Sequence, residues 1–107
     1  MQTSISPVAV YPGTATRFYL RALELGPPPN YYFELQSVVI VPPVAEQRDP
    51  TTGKILIPAT PETEQITVLK NGNAMMTEAQ WSAWPADADD DEYQLNALTQ
   101  NLGLVRA

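Results

Sequence analysis

The run Ile66-Thr67-Val68-Leu69-Lys70-Asn71-Gly72-Asn73-Ala74-Met75-Met76-Thr77-Glu78-Ala79-Gln80-Trp81 constrains this chain more than any other stretch. Read locally, it holds a strand, a two-residue turn, a second strand and a helix cap in immediate succession. Asn-Gly is the strongest short hairpin signal, because both central residues of a type I′ turn need positive φ. The spacing therefore predicts a hairpin of 65–70 with 73–76, turning at Asn71-Gly72. Thr77 and Gln80 then have the spacing of a capping box, which predicts a short helix over 78–84, ended by Pro85. Its tryptophans, Trp81 and Trp84, are three apart and share a face.

The rest of the chain reads mainly as β. A short strand is expected at 8–11 and a long one at 14–25, the second alternating Phe18, Leu20 and Ala22 against Arg17, Tyr19 and Arg21. Gly26-Pro27-Pro28-Pro29-Asn30 makes a stiff turn. A further strand follows over 31–41. Phe33, Leu35, Val39 and Val41 share one of its faces. Val38 and Ile40 make the other apolar too, so its second half is expected to be covered on both sides. A second helix is expected from about Asp90 to Asn101, with Leu95, Leu98 and Leu102 as its stripe. Gly103 and Leu104 form a Schellman-type stop. Short turns between successive strands argue for antiparallel pairing, and helices after strands for segregated α+β. The expected fold is mostly β: one 1–107 domain with a small antiparallel sheet or sandwich and one or two short C-terminal helices.

Eleven prolines punctuate these elements, and several bound the segment 42–64. Pro42-Pro43 opens it, Pro61-Glu62-Thr63-Glu64 closes it, and Asp49-Pro50-Thr51-Thr52-Gly53 is a turn signal in its middle. It reads either as a surface loop or as a protruding hairpin arm that reaches a neighbouring molecule. Loops of this length are usually functional or disordered, and prolines reduce the entropy an arm loses on docking.

Composition removes most chemistry. There is no cysteine and no histidine. Disulfides, thiolate metal sites, the commonest general base and the commonest metal ligand are thereby absent. The net charge is −6, and it is uneven. Five of the six basic residues and six of the twelve acids precede residue 77, while the other six acids lie between Glu78 and Glu92. An acidic surface of this kind disfavours phosphate backbones, so no direct nucleic-acid binding is expected. No run is long and apolar enough to suggest a membrane span. The N-terminus lacks a signal-peptide pattern, so synthesis in the cytoplasm is expected.

The remaining motifs fail on inspection. Asp87, Asp89 and Asp91 alternate like the first ligands of an EF-hand loop, but Glu92 stands where Gly is required and Leu98 where a bidentate Glu is required. The acids fit a helix N-terminus instead. Gly53-Lys54 lacks the upstream Gly and following Ser or Thr of a phosphate loop, since Arg48 and Ile55 hold those positions. No pair of acids is rigidly placed in an apolar setting for glycosidase-type chemistry. The expectation is no enzyme, no cofactor and no metal. Trp81 and Trp84, with Tyr31-Tyr32, read either as core packing or as an aromatic platform.

The order Asn71-Gly72-Asn73, Thr77-Glu78-Ala79-Gln80-Trp81 with Trp84, Asp91-Glu92-Tyr93 and Asn101-Leu102-Gly103-Leu104 resembles small uncharacterised proteins encoded among the structural genes of tailed bacteriophages and prophages. Tyr11-Pro12-Gly13-Thr14-Ala15-Thr16 and the strand after it fit the same pattern. Segment 42–64 lies outside the matched part. The resemblance implies a virion component of the neck, tail or capsid surface, made in the bacterial cytoplasm, and carries no catalytic residue across. Its partners would be other virion proteins and further copies of itself in a symmetric oligomer. Two segments are candidates for subunit boundaries: Arg48, Asp49, Pro50 and Lys54 in the proline-rich segment, and Asp87, Asp89 and Asp90 in the acidic one. Two rival readings are a β-sandwich module that binds carbohydrate or protein, and an acidic regulator that mimics nucleic acid.

Overall fold

A computed structural model describes residues 1–24 and 27–107. Leu25 and Gly26, part of the expected stiff turn, lie outside the described residues. Four long strands, β1 (Gln2–Val10), β2 (Gly13–Glu24), β3 (Asn30–Val41) and β6 (Thr63–Met75), form one antiparallel sheet in the order β1-β2-β3-β6. Between β3 and β6 the chain makes a two-stranded hairpin of β4 (Gln47–Arg48) and β5 (Ile55–Ile57). Two helices close the chain, α1 (Glu78–Ser82) and α2 (Asp90–Asn101). The class is mostly β with C-terminal helices, as the strand-then-helix order implies, and the four long strands make one sheet rather than a sandwich.

The Asn71-Gly72 turn does not form. β6 runs straight through it, and Asn71 pairs with Glu34, Gly72 with Phe33 and Asn73 with Tyr32. Positive φ occurs at Gly53 and Gly103 among the described residues, not at Gly72. A local hairpin would have left one side of β3 unpaired over most of its twelve residues, and the long-range ladder satisfies more backbone groups. The glycine serves another purpose. A Cβ at Gly72 would lie 3.2 and 3.3 Å from Cε1 and Cζ of Phe33, so its absence lets that ring lie over the strand. Leu69 is the extra residue of a bulge, since Leu35 pairs with Lys70 and Gln36 with Val68.

The core lies between one face of the β1–β3 sheet and α2. Phe18, Leu20, Tyr31, Phe33 and Leu35 supply the sheet side, with Ile5 and Ala15. Leu95, Ala97 and Leu98 come from α2, and Met76 from the end of β6. The alternation in β2 holds for Phe18 and Leu20 and ends there, since Ala22 is exposed. Tyr31 is fully buried. Its hydroxyl donates to Oε1 of Gln94 at 2.6 Å, and burial pushes its pKa up to about 12.

Local signals fix the helix ends. The Gln80 amide donates to Thr77 Oγ1 at 3.1 Å and the Thr77 amide to Gln80 Oε1 at 3.0 Å, the full capping box. Such a cap contributes about 1 kcal/mol. α1 ends at Ser82, two residues before the expected limit. α2 begins where its acids predict, with Asp89 as its cap and Asp90, Asp91 and Glu92 in its first turn. It ends in a Schellman motif: the Leu104 amide donates to Thr99 and that of Gly103, at φ +71°, to Gln100.

Candidate assembly surface

Pairing divides the sheet into two halves. β2 accompanies β3 only as far as Gln36, opposite Arg17. Beyond it, Ser37–Val41 pair with β6 alone. The distal half is thus a two-stranded ribbon continued by the 42–62 arm. The molecule is correspondingly long, 70 × 33 × 22 Å, with a radius of gyration of 19.9 Å. A compact chain of this length has a radius near ~13 Å.

The expectation that both faces of distal β3 are covered is overturned within the single chain. Val39 is 54 % and Ile40 50 % exposed, and across the ladder Ile66 is 49 % and Val68 44 % exposed. Ile55, Leu56, Ile57 and Val44 extend the exposed apolar surface into the arm. Two-stranded ribbons are marginally stable in water alone, and contiguous exposed apolar surface marks contact sites. An ion pair ties the ribbon back: the Arg17 guanidinium donates to both carboxylate oxygens of Glu64 at 3.0 and 3.1 Å. That pairing holds the Glu64 carboxyl below its ordinary pKa. At the boundary between halves, Oε1 of Gln36 is buried with no donor among the described residues.

The arm residues have internal duties. Asp49 Oδ1 accepts the Thr51 amide at 2.8 Å and the Thr52 amide at 3.4 Å, which lowers its pKa. Backbone bonds Asp49 to Lys54 and Gly53 to Asp49 close the turn, with Gly53 at φ +73°. Arg48 is held by Glu46 and by the Gly53 carbonyl. Pro50 is exposed at the tip. Lys54 has no ion pair among the described residues.

The acidic candidates sit elsewhere. They follow the C-terminal end of β6, whereas the arm precedes its N-terminal end, and the thirteen-residue strand separates them. Asp87 is exposed, and Asp89 is spent as the cap of α2, accepting the Glu92 amide at 3.0 Å. Asp90 lines an open cleft of about 480 Å³ with Trp81, Ser82, Trp84, Pro85 and Ala86. Trp81 meets Trp84 edge-on at 5.8 Å, and Trp84 stacks on Tyr93 at 5.1 Å. Both tryptophans are half-buried against the core, so they brace the α1–α2 corner while leaving part of their surface in the cleft. Arg106 ties this corner to the first strand by donating to Glu92, Asn96 and Thr3, and it lowers the Glu92 pKa. Among the described residues no group of three or more acids is placed to hold a metal ion, and no helix is long and apolar enough to cross a membrane.

The two predicted segments are therefore not brought together in one chain. The local reading missed the exposed ribbon between them. Its signal was present in the doubly apolar run Val38–Val41. No protein-family model matches this sequence, and comparisons with curated proteins and with solved structures found no significant match.

Proposed function

We propose that this chain is a non-enzymatic assembly subunit that acts through protein–protein contacts in a symmetric oligomer. Guided by the sequence resemblance, we place it in a bacteriophage particle, in the neck, tail or capsid surface. The observation that carries the assembly reading is the distal ribbon, whose apolar side chains project from both faces beyond the last residue that β2 or α2 covers. A rigid four-stranded base holds that ribbon and its arm away from the core. Repeated copies then add weak contacts into a stable whole. The acidic corner at 85–92 presents negative charge at the other end of β6, suited to a basic neighbour or to a wall that must not hold DNA.

Sedimentation of the intact chain at rising concentration tests this reading. A defined oligomer is expected, and it should survive high salt because apolar burial drives it. A monomer at every concentration would contradict it. The binding-module reading would need a freely accessible tryptophan surface, and the two rings are engaged with each other, Trp84 also with Tyr93.

A further inference from the structure

The α1–α2 corner combines an aromatic groove with negative charge that the chain leaves unanswered. The groove is the open cleft of about 480 Å³, walled by Trp81, Trp84, Pro85 and Ala86, with Asp90 in its lining. The two indole rings brace each other and both remain partly exposed. Six acids lie between Glu78 and Glu92, and among the described residues only Glu92 has an ion pair, with Arg106. The dipole of α2 places about half a positive charge at the helix start, which offsets a small part of that field. The chain's other cations are committed elsewhere. Arg17 is held by Glu64 and Arg48 by Glu46, and Arg21 lies over the Tyr32 ring at 5.2 Å. Lys54 and Lys70 have no ion pair among the described residues. A second copy would bring those two lysines together with the same excess of acids, so like charge opposes its approach at this corner.

We propose that the groove receives an arginine side chain from a basic segment of a different protein. The proposal rests on reading the acidic corner as a contact surface, and it names the chemistry of that contact. An arginine has an apolar stem that buries along apolar walls while its charged head stays paired. Its planar guanidinium stacks on aromatic rings and forks onto a carboxylate, which a lysine ammonium does less well. The groove supplies each counterpart: Pro85 and Ala86 for the stem, the indoles for the guanidinium face, and Asp90 for its charge. Tryptophan is the best aromatic partner for a cation, and arginine and tryptophan are both enriched among the residues that anchor interfaces.

Tryptophan emission tests it directly, because Trp81 and Trp84 are the chain's two tryptophans. At low ionic strength, titration with capped triarginine should change that emission saturably. Capped trilysine should need higher concentrations, and capped triglutamate should have no effect. Asp90→Asn should weaken triarginine binding about fivefold. Asp91→Asn removes the same charge from the neighbouring residue, outside the groove lining, and should weaken it less than about twofold. Both aspartates are exposed, and an unchanged thermal transition checks that each variant folds. No saturable response to triarginine overturns the site. So do equal losses in the two variants, or equal binding of trilysine, since either would show a diffuse acidic field without a groove. Sedimentation reads the oligomer separately. A groove that fails in a chain that oligomerises leaves the assembly reading standing, and a groove that binds in a chain that stays monomeric supports the site and counts against that reading.

Discussion

Phe18→Ala should lower stability by about 3–5 kcal/mol, enough to unfold a domain of this size or nearly so. Phe18 is fully buried, with its ring 6.2 Å from that of Phe33 at the centre of the space between sheet and α2. Small domains bury a modest share of their surface, and here the distal ribbon and arm add little to the core. The burden falls on a few side chains. Thermal denaturation followed by circular dichroism should show the midpoint falling by more than about 12 °C. Leu56→Ala, at a residue 64 % exposed in the arm, should leave that midpoint where it was. A loss below about 1 kcal/mol for Phe18→Ala would mean that the helix does not seal the sheet as described.

Removal of residues 44–58, with the ends joined by a short turn, should have the opposite profile. The bonds of the arm are internal to it: Val44 with Thr60, Gln47 with Ile57, and Asp49 with Lys54. None of its side chains reaches the core. The thermal midpoint should therefore change by no more than a few degrees, since no core burial is lost. Assembly should be lost, because the apolar arm surface that reaches neighbouring copies has gone. Unfolding on deletion would show that the arm belongs to the domain's cooperative unit. Unaltered assembly would show that the contacts lie elsewhere.

Local and non-local features were not equally legible in the sequence. The cap at Thr77 and the stop at Gly103 involve partners within a few residues, so their spacing declares them. The turn at Asp49–Gly53 is of the same kind. Asn71-Gly72 carries an equally strong local signal, yet its conformation is set by β3, about forty residues earlier, and by the Phe33 ring. Tertiary pairing overrode propensity there. β1 was extended to Gln2 for a related reason, since its pairing with β2 and with the C-terminal tail is not written in its own alternation. The acidic candidates gave an ambiguous signal because a carboxylate at a helix start caps and attracts in the same position. The doubly apolar end of β3 was visible in the sequence, but one chain cannot supply the second cover it implies.

The central claim is that Val38–Val41 and Thr63–Val68 are sheltered by another chain when the protein is assembled. Amide hydrogen exchange read at those residues, at dilute and at assembling concentrations, tests it most directly. In the dilute monomer these amides belong to a ribbon with a single pairing and should exchange fast, well ahead of those around Phe18 and Phe33. On assembly their exchange should slow, while the core amides stay as they were. Equal exchange at the two concentrations, with oligomer present in one of them, would contradict the account.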